Sequence, residues 1–269
     1  MYLSYYNLAE HPFNITPDPR FLYFAPQHRE AYNHLIYGIR NRKGFIELSG
    51  EVGSGKTTLC RAVLADLGGD ISTALILNPS LTETQLICAI LNDLGLDTRG
   101  NSRLAYIDTL NEFLLAKNRE GGNVAVFIDE AQDLSLPVME QVRLLSNLET
   151  DQQKLMQIVL CGQPELRKRL ARPDMRQLRQ RITVRYHIEP LTPEDTMLYI
   201  QHRLRVAGSD GRIAFDAGAV REIHRYSKGG PRVINAVADN ALLAGYVART
   251  NRIDARCVRK AIEQLEGSK

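Results

Sequence analysis

Residues 50–57 read Gly-Glu-Val-Gly-Ser-Gly-Lys-Thr, and Thr58 extends the run. The stretch follows the apolar run Phe45-Ile46-Glu47-Leu48 and precedes the helix-forming run Leu59-Cys60-Arg61-Ala62-Val63-Leu64. It is a G-x-x-x-x-G-K-T phosphate loop in a strand–loop–helix setting, and that setting gives the pattern its mechanism. The glycines let the main chain curl so that successive N–H groups point inward around an anion. The N-terminus of the following helix adds partial positive charge. The candidate phosphate-binding residues are therefore Gly50, Glu51, Val52, Gly53, Ser54, Gly55, Lys56, Thr57 and Thr58. Lys56 would reach the outer phosphates, and the Thr57 hydroxyl would hold Mg²⁺. A glycine-rich turn ahead of a helix is the plainer reading of the same residues. The rest of the chain decides between the two.

Of 269 residues, 44% are hydrophobic and 24% charged, as in an ordinary globular chain able to bury one large domain and a small appendage. No apolar stretch reaches the ~20 residues of a membrane span, and the N-terminus has no basic-then-apolar leader. The four cysteines, Cys60, Cys88, Cys161 and Cys257, form no C-x-x-C pair. They fit buried free thiols in a reducing compartment better than zinc ligands or disulfides, hence a cytoplasmic chain. The net charge of +3 does not demand a nucleic-acid partner,.

Residues 1–29 are crowded with aromatics and prolines, among them Tyr2, Tyr5, Tyr6, Phe13, Pro17, Pro19 and Phe21. They predict an ordered arm packed over a site rather than a long helix or a solvated tail. A helix is expected over Glu30–Arg42, and further strands over Thr73–Leu77, Val124–Ile128, Gln157–Leu160 and Thr183–Ile188,. Helical patterns separate them. Thr82–Leu94 opens with a capping box at Thr82 and Gln85, Arg103–Arg119 repeats Leu104, Ile107, Leu110 and Leu114, and Pro137–Glu149 has proline in its first turn,. The alternation implies an α/β fold with a doubly wound, mostly parallel five-stranded sheet over about residues 30–190,. Beyond Glu189-Pro190-Leu191-Thr192-Pro193 no strand is expected. Helical patterns near Pro193–Ala207, Ala217–Ser227, Pro231–Arg249 and Asp254–Leu265 predict a small helical domain over 191–269,.

Four further features bear on chemistry. The 124–128 strand ends in Asp129-Glu130. In a parallel sheet its C-terminal end would face the same crevice as the loop, with Asp129 in the Mg²⁺ shell and Glu130 polarising water. Gln163, in Cys161-Gly162-Gln163-Pro164, either touches the γ-phosphate or the water, or is ordinary turn chemistry,. The basic run from Arg167 to Arg185 is a solvated helical face, a duplex DNA surface, or the source of an arginine finger,. Arg181 is the finger candidate and Arg179 the reserve. Arg232 follows Gly229-Gly230-Pro231 in the first turn of a helix. The helix dipole disfavours a cation there, so an external anion such as a γ-phosphate rationalises it; a surface carboxylate is the alternative.

Together the loop, Asp129-Glu130, Gln163, Arg181 and Gly230-Pro231-Arg232 resemble the ordered signature of the AAA+ ATPases, P-loop proteins with a C-terminal helical lid. The N-terminal Tyr6-Asn7-Leu8, Pro12-Phe13 and Thr16-Pro17-Asp18-Pro19-Arg20-Phe21-Leu22-Tyr23 are similar to those of the ExeA/GspA branch. So are His28-Arg29-Glu30-Ala31, Asp129-Glu130-Ala131-Gln132 and Gly162-Gln163-Pro164-Glu165-Leu166. The resemblance implies a Walker A loop at 50–57, a Walker B pair at 129–130, a first sensor at Gln163 and a second at Arg232. It implies ATP and Mg²⁺, an N-terminal arm flanking the adenine, and self-association into a ring or filament. It also implies work in assembling a secretion or pilus machine, from the cytoplasm or recruited to the inner membrane. In that branch a transmembrane helix and a peptidoglycan-binding domain follow the ATPase; neither pattern occurs within residues 1–269. Transposition ATPases of the TniB/TnsC kind have a similar core, which makes duplex DNA the alternative partner.

Overall fold

The computed structural model describes residues 2–78, 80–98 and 102–267. Five apolar runs pair in it as β1 (Phe45–Gly50), β2 (Ile71–Ile76), β3 (Asn123–Ile128), β4 (Gln157–Gly162) and β5 (Ile182–Ile188). All pairings are parallel, in the order β2-β3-β4-β1-β5. Strands β1, β3 and β4 are buried at every position, as a central parallel strand covered on both faces must be. The edge strand β5 exposes Thr183 and Arg185 between buried Ile182, Val184 and Ile188. Charged and polar residues on an edge oppose pairing with another sheet.

The helices in chain order are α1 (Tyr2–Tyr6), α2 (Pro26–Arg40), α3 (Lys56–Asp66), α4 (Glu83–Asp93), α5 (Arg103–Arg119) and α6 (Leu136–Leu145). They continue as α7 (Pro164–Leu170), α8 (Arg176–Arg181), α9 (Pro193–Val206), α10 (Ala217–Ser227), α11 (Pro231–Val247) and α12 (Ala255–Leu265). Contacts divide the chain into two compact units. One holds Arg29–Gly50 and Leu59–Ile188; the other holds the chain up to His28, Glu51–Thr58 and the chain from Glu189 onward.

In the sheet unit, β1, β3 and β4 pack with α4, α5 and α6 around Phe45, Leu86, Leu110, Val126, Val138 and Ile158. The capping box on α4 is formed: Gln85 N–H donates to Thr82 Oγ1, and Thr82 N–H donates to Gln85 Oε1 at 2.9 Å. The expected stripe on α5 is only partly used. Leu110 and Leu114 are fully buried, whereas Leu104 in the first turn is 69% exposed. α6 stops at Leu145, short of the expected Glu149, and Glu149 pairs instead with Lys154 in an isolated antiparallel bridge.

The other unit is built on α9, α10, α11 and α12, whose apolar faces meet at Ile200, Leu204, Ile223, Ile234, Leu242 and Val258. Thr192 and Asp195 form a capping box on α9, and Asp216 and Asp254 cap α10 and α12. The expectation of no strand here is corrected by two short parallel pieces, β6 (Ala214–Phe215) and β7 (Arg252–Ile253). At two residues each they carry no periodicity to read. The aromatic arm belongs to this core: Tyr2, Tyr6, Phe13 and Phe21 are buried within it. The Tyr6 hydroxyl donates to the Leu242 and Thr250 carbonyls, each at 3.1 Å. Buried Arg203 donates to the Pro12 and Asn14 carbonyls at 2.5 and 2.9 Å. Carbonyl acceptors meet the hydrogen-bonding demand of that buried cation and fasten the arm. Among the described residues no helix is long and apolar enough to cross a membrane.

Candidate functional site

The phosphate-loop pattern leaves β1 at Gly50 and enters α3 at Lys56. Gly53 and Gly55 take φ of +73° and +93°, conformations a side chain would strain,. Ser54 N–H donates to the Glu51 carbonyl at 3.1 Å, closing the turn. Lys56 is buried, and its ammonium donates to that same carbonyl at 2.9 Å. Outside the loop, Arg232 N–H donates to the Gly53 carbonyl at 3.2 Å. A Cβ on Gly53 would lie 2.4 Å from the Arg232 Cβ, so only glycine lets the start of α11 approach. No carboxylate pairs with the Arg232 side chain among the described residues, so the surface ion pair read as an alternative is not formed there.

The second cluster gathers where β3 and β4 end. Asp129 is buried, and its N–H donates to the Ile76 carbonyl at 2.9 Å, continuing the β2–β3 ladder. Its Oδ1 accepts the Glu130 N–H at 3.0 Å. Glu130 sits in the left-handed region at φ +50°, ψ 38°, a conformation costing a non-glycine residue ~1 kcal/mol or more,. The turn re-aims its carboxylate, whose Oε2 accepts from Gln132 Nε2 at 2.8 Å and Gln163 Nε2 at 3.1 Å. Gln132 Oε1 in turn accepts the Gln163 N–H at 3.0 Å, and the Gln132 carbonyl accepts from Arg169. A Cβ on Gly162 would stand 2.8 Å from Gln132 Oε1, so that glycine admits the amide. Two amide donors on one oxygen fix the direction in which the carboxylate points.

Strand β4 lies between β1 and β3, so the ends carrying the loop, Gln163 and the acidic pair leave one edge of one sheet. In open α/β sheets ligands bind outside these carboxyl ends, where the strand order switches direction. The nest also fits an anion. Two loop glycines have positive φ, and the Gly55 N–H has no acceptor among the described residues,.

A family model described as "AAA domain" matches residues 39–170. General secretion pathway protein A of Aeromonas hydrophila is 45% identical over 268 residues, which is 99% of this chain and 49% of that protein. The chain is an AAA protein of the general secretion pathway protein A type. It spans about half the length of that relative. Among solved structures, the ORC2 protein of Aeropyrum pernix, in ADPNP–ADP complexes, superposes with a TM-score of 0.71 at 15% identity, over 97% of this chain and 72% of that one. Cdc6p of Pyrobaculum aerophilum gives 0.69 at 17%, over 92% and 70%. The RuvB Holliday junction branch migration motor of Thermotoga maritima gives 0.60 at 20%, over 88% and 69%. At these identities the likeness is one of fold.

The remaining candidate of this AAA protein lies elsewhere. Arg181, at the end of α8, donates to Ser146 Oγ at 2.6 Å and Asn147 Oδ1 at 2.7 Å. Arg179 donates to the Ala171 carbonyl at 3.2 Å. Sequence reasoning gave Gln132 and His28 no role beyond family likeness, although Gln132 links the acidic exit to Gln163. It also passed over Glu47 inside the apolar β1 run. That carboxylate is buried, 3.4 Å from Arg185 and 3.8 Å from Arg167, so part of the basic run answers a charge in the core. Burial pushes the Glu47 carboxyl up against the pull of both arginines,.

Proposed function

We propose that this chain binds ATP on the 50–58 loop and hydrolyses it, working as a nucleotide-switched oligomer in assembly of a secretion or pilus machine. The observation that carries the proposal is Glu130, a carboxylate held by two amides at the sheet edge from which the phosphate loop also departs. Phosphoryl transfer asks mainly for positioning and charge neutralisation, and these residues supply both. The loop N–H groups and Lys56 would hold the phosphates, while the Thr57 hydroxyl and Asp129 carboxylate would hold Mg²⁺. When bound, Mg²⁺ neutralises phosphate charge. Glu130 orients the attacking water and accepts its proton, with Gln163 keeping that carboxylate aimed. Arg232, at a helix start already bonded to the loop, would meet the γ-phosphate. The aromatic arm shares a compact unit with the loop, which supports a place beside the adenine. Arg181, with Arg179 as the alternative, serves the nucleotide of a neighbouring copy.

The decisive test compares nucleotide binding by the unaltered chain and Lys56→Ala, using titration calorimetry. The expected loss is at least about a hundredfold, from removing a buried cation against phosphate; equal affinity removes the proposal. Mixing Arg181→Ala with Lys56→Ala subunits should restore turnover if the finger acts between copies, and no rescue at any ratio rejects that role. The likeness to general secretion pathway protein A supports the secretion setting, and in that reading the chain works in the cytoplasm or at the inner membrane. Salt-sensitive duplex binding with DNA-stimulated hydrolysis would instead favour a transposition-type role.

A further inference from the structure

His28 lies in the first turn of α2 and is 3% exposed. Its Nε2 is 2.9 Å from the Ser54 carbonyl oxygen. A carbonyl only accepts, so Nε2 carries the proton and Nδ1 is the bare nitrogen of a neutral ring. Nδ1 is itself buried without a hydrogen-bond partner among the described residues. A second N–H at that position would have no acceptor. Burial moves the ring's pKa down, consistent with this neutral tautomer,.

In a trans peptide unit the C=O and the following N–H point in opposite directions. Drawing the Ser54 oxygen outward therefore turns the Gly55 N–H the other way. Gly55 has φ +93°, and a Cβ there would meet His28 Nε2 at 3.4 Å, so the glycine lets the imidazole close on the loop. The preceding carbonyl, that of Gly53, is held in the same manner by the Arg232 N–H at 3.2 Å. Two consecutive loop carbonyls are thus taken by donors from segments far apart in the chain. One donor is main chain and survives substitution. The other is a side chain and does not.

We infer that His28 is a positioning residue for the phosphate loop: its Nε2–H anchors the Ser54 carbonyl and so presents the Gly55 N–H to a bound polyphosphate. The inference rests on the reading of the loop as a nucleotide site. It predicts an effect on the phosphates alone, shared by any ligand that carries them.

The test is titration calorimetry with ADP and with inorganic tripolyphosphate, on the full chain and on His28→Leu, His28→Gln and Lys56→Ala. Leucine fills the space without a donor, whereas glutamine keeps an amide N–H within reach. His28→Leu is expected to weaken both ligands by about tenfold, the scale of one misdirected hydrogen bond, and His28→Gln to recover to within about threefold. Unchanged affinity in His28→Leu, or equal loss in both His28 variants, overturns the role. If the unaltered chain binds neither ligand, or as weakly as Lys56→Ala, the nucleotide reading itself fails. Nitrogen-15 spectra of the histidine rings in the unaltered chain give a readout independent of any variant's folding. His28 must show protonated Nε2 and bare Nδ1, and the opposite tautomer overturns the inference.

Discussion

The exits of β1 and β3 face the same sheet edge but are held by opposite means. At the end of β1 the candidate groups are main-chain N–H donors, and the loop is bonded by donors from outside it, His28 and the Arg232 N–H. At the end of β3 the candidate groups are side-chain carboxylates. Glu130 is aimed by Gln132, two residues on, and by Gln163, just past the end of the adjoining strand β4. On the proposed function, binding is tied to contacts that span the chain, whereas water activation is tied to a network within one sheet. Substitutions at the first exit should change affinity, and those at the second should change turnover.

The largest effect should break that division if it is wrong. Glu130→Gln is expected to lower turnover by at least about a hundredfold, the usual weight of a general base, with nucleotide affinity kept within about threefold. Parallel steady-state and binding measurements check it, and an equal loss in both would merge the two exits. Gly53→Ala acts at the other exit. Its Cβ would press on the Arg232 Cβ at positive φ, costing about 2 kcal/mol in chemical denaturation,. It should also weaken nucleotide by roughly tenfold, since 1.4 kcal/mol corresponds to a factor of ten. Gln163→Ala should cut turnover by about tenfold through loss of alignment while leaving affinity alone. An affinity change of that size would move Gln163 into the binding group.

The smallest effect lies at neither exit and calibrates the others. The folded-state pKa of Glu47 is raised, so at low pH both states carry a neutral carboxyl. As pH climbs from the ordinary value of 4.5 through the raised one, the native state must ionise a buried group and loses stability,. Glu47→Gln should match the unaltered chain below about pH 4 and melt about 2 °C higher at pH 8. A lower melting temperature at pH 8 would mean that Arg167 and Arg185 outweigh the burial.

Much of the sheet was legible because central parallel strands are continuous apolar runs, as in Val124–Ile128 and Ile158–Leu160,. The capping signal at Thr82 was equally local, and the cap is formed. Short elements were not legible. β6 and β7 show no alternation at two residues each, and α7 and α8 lay hidden in a basic run read as one face. Glu47 escaped notice because a single carboxylate in an apolar run has no pattern until a neighbouring strand supplies Arg185. Gln163 stayed ambiguous for the same reason: Gly-Gln-Pro is turn chemistry until Glu130 is found beside it.

What the sequence by itself determined is the make-up of the loop and of the acidic pair, from which the proposed chemistry is read. Glycine, lysine and threonine at set spacing, and two carboxylates after an apolar strand, are patterns carried by residues a few positions apart. Only the tertiary structure decided that β4 runs between those strands, that Gln163 reaches Glu130 across 33 residues and that His28 reaches Ser54 across 26. Parallel strands are joined by long crossovers, so their order and contacts come from packing, which local periodicity does not encode.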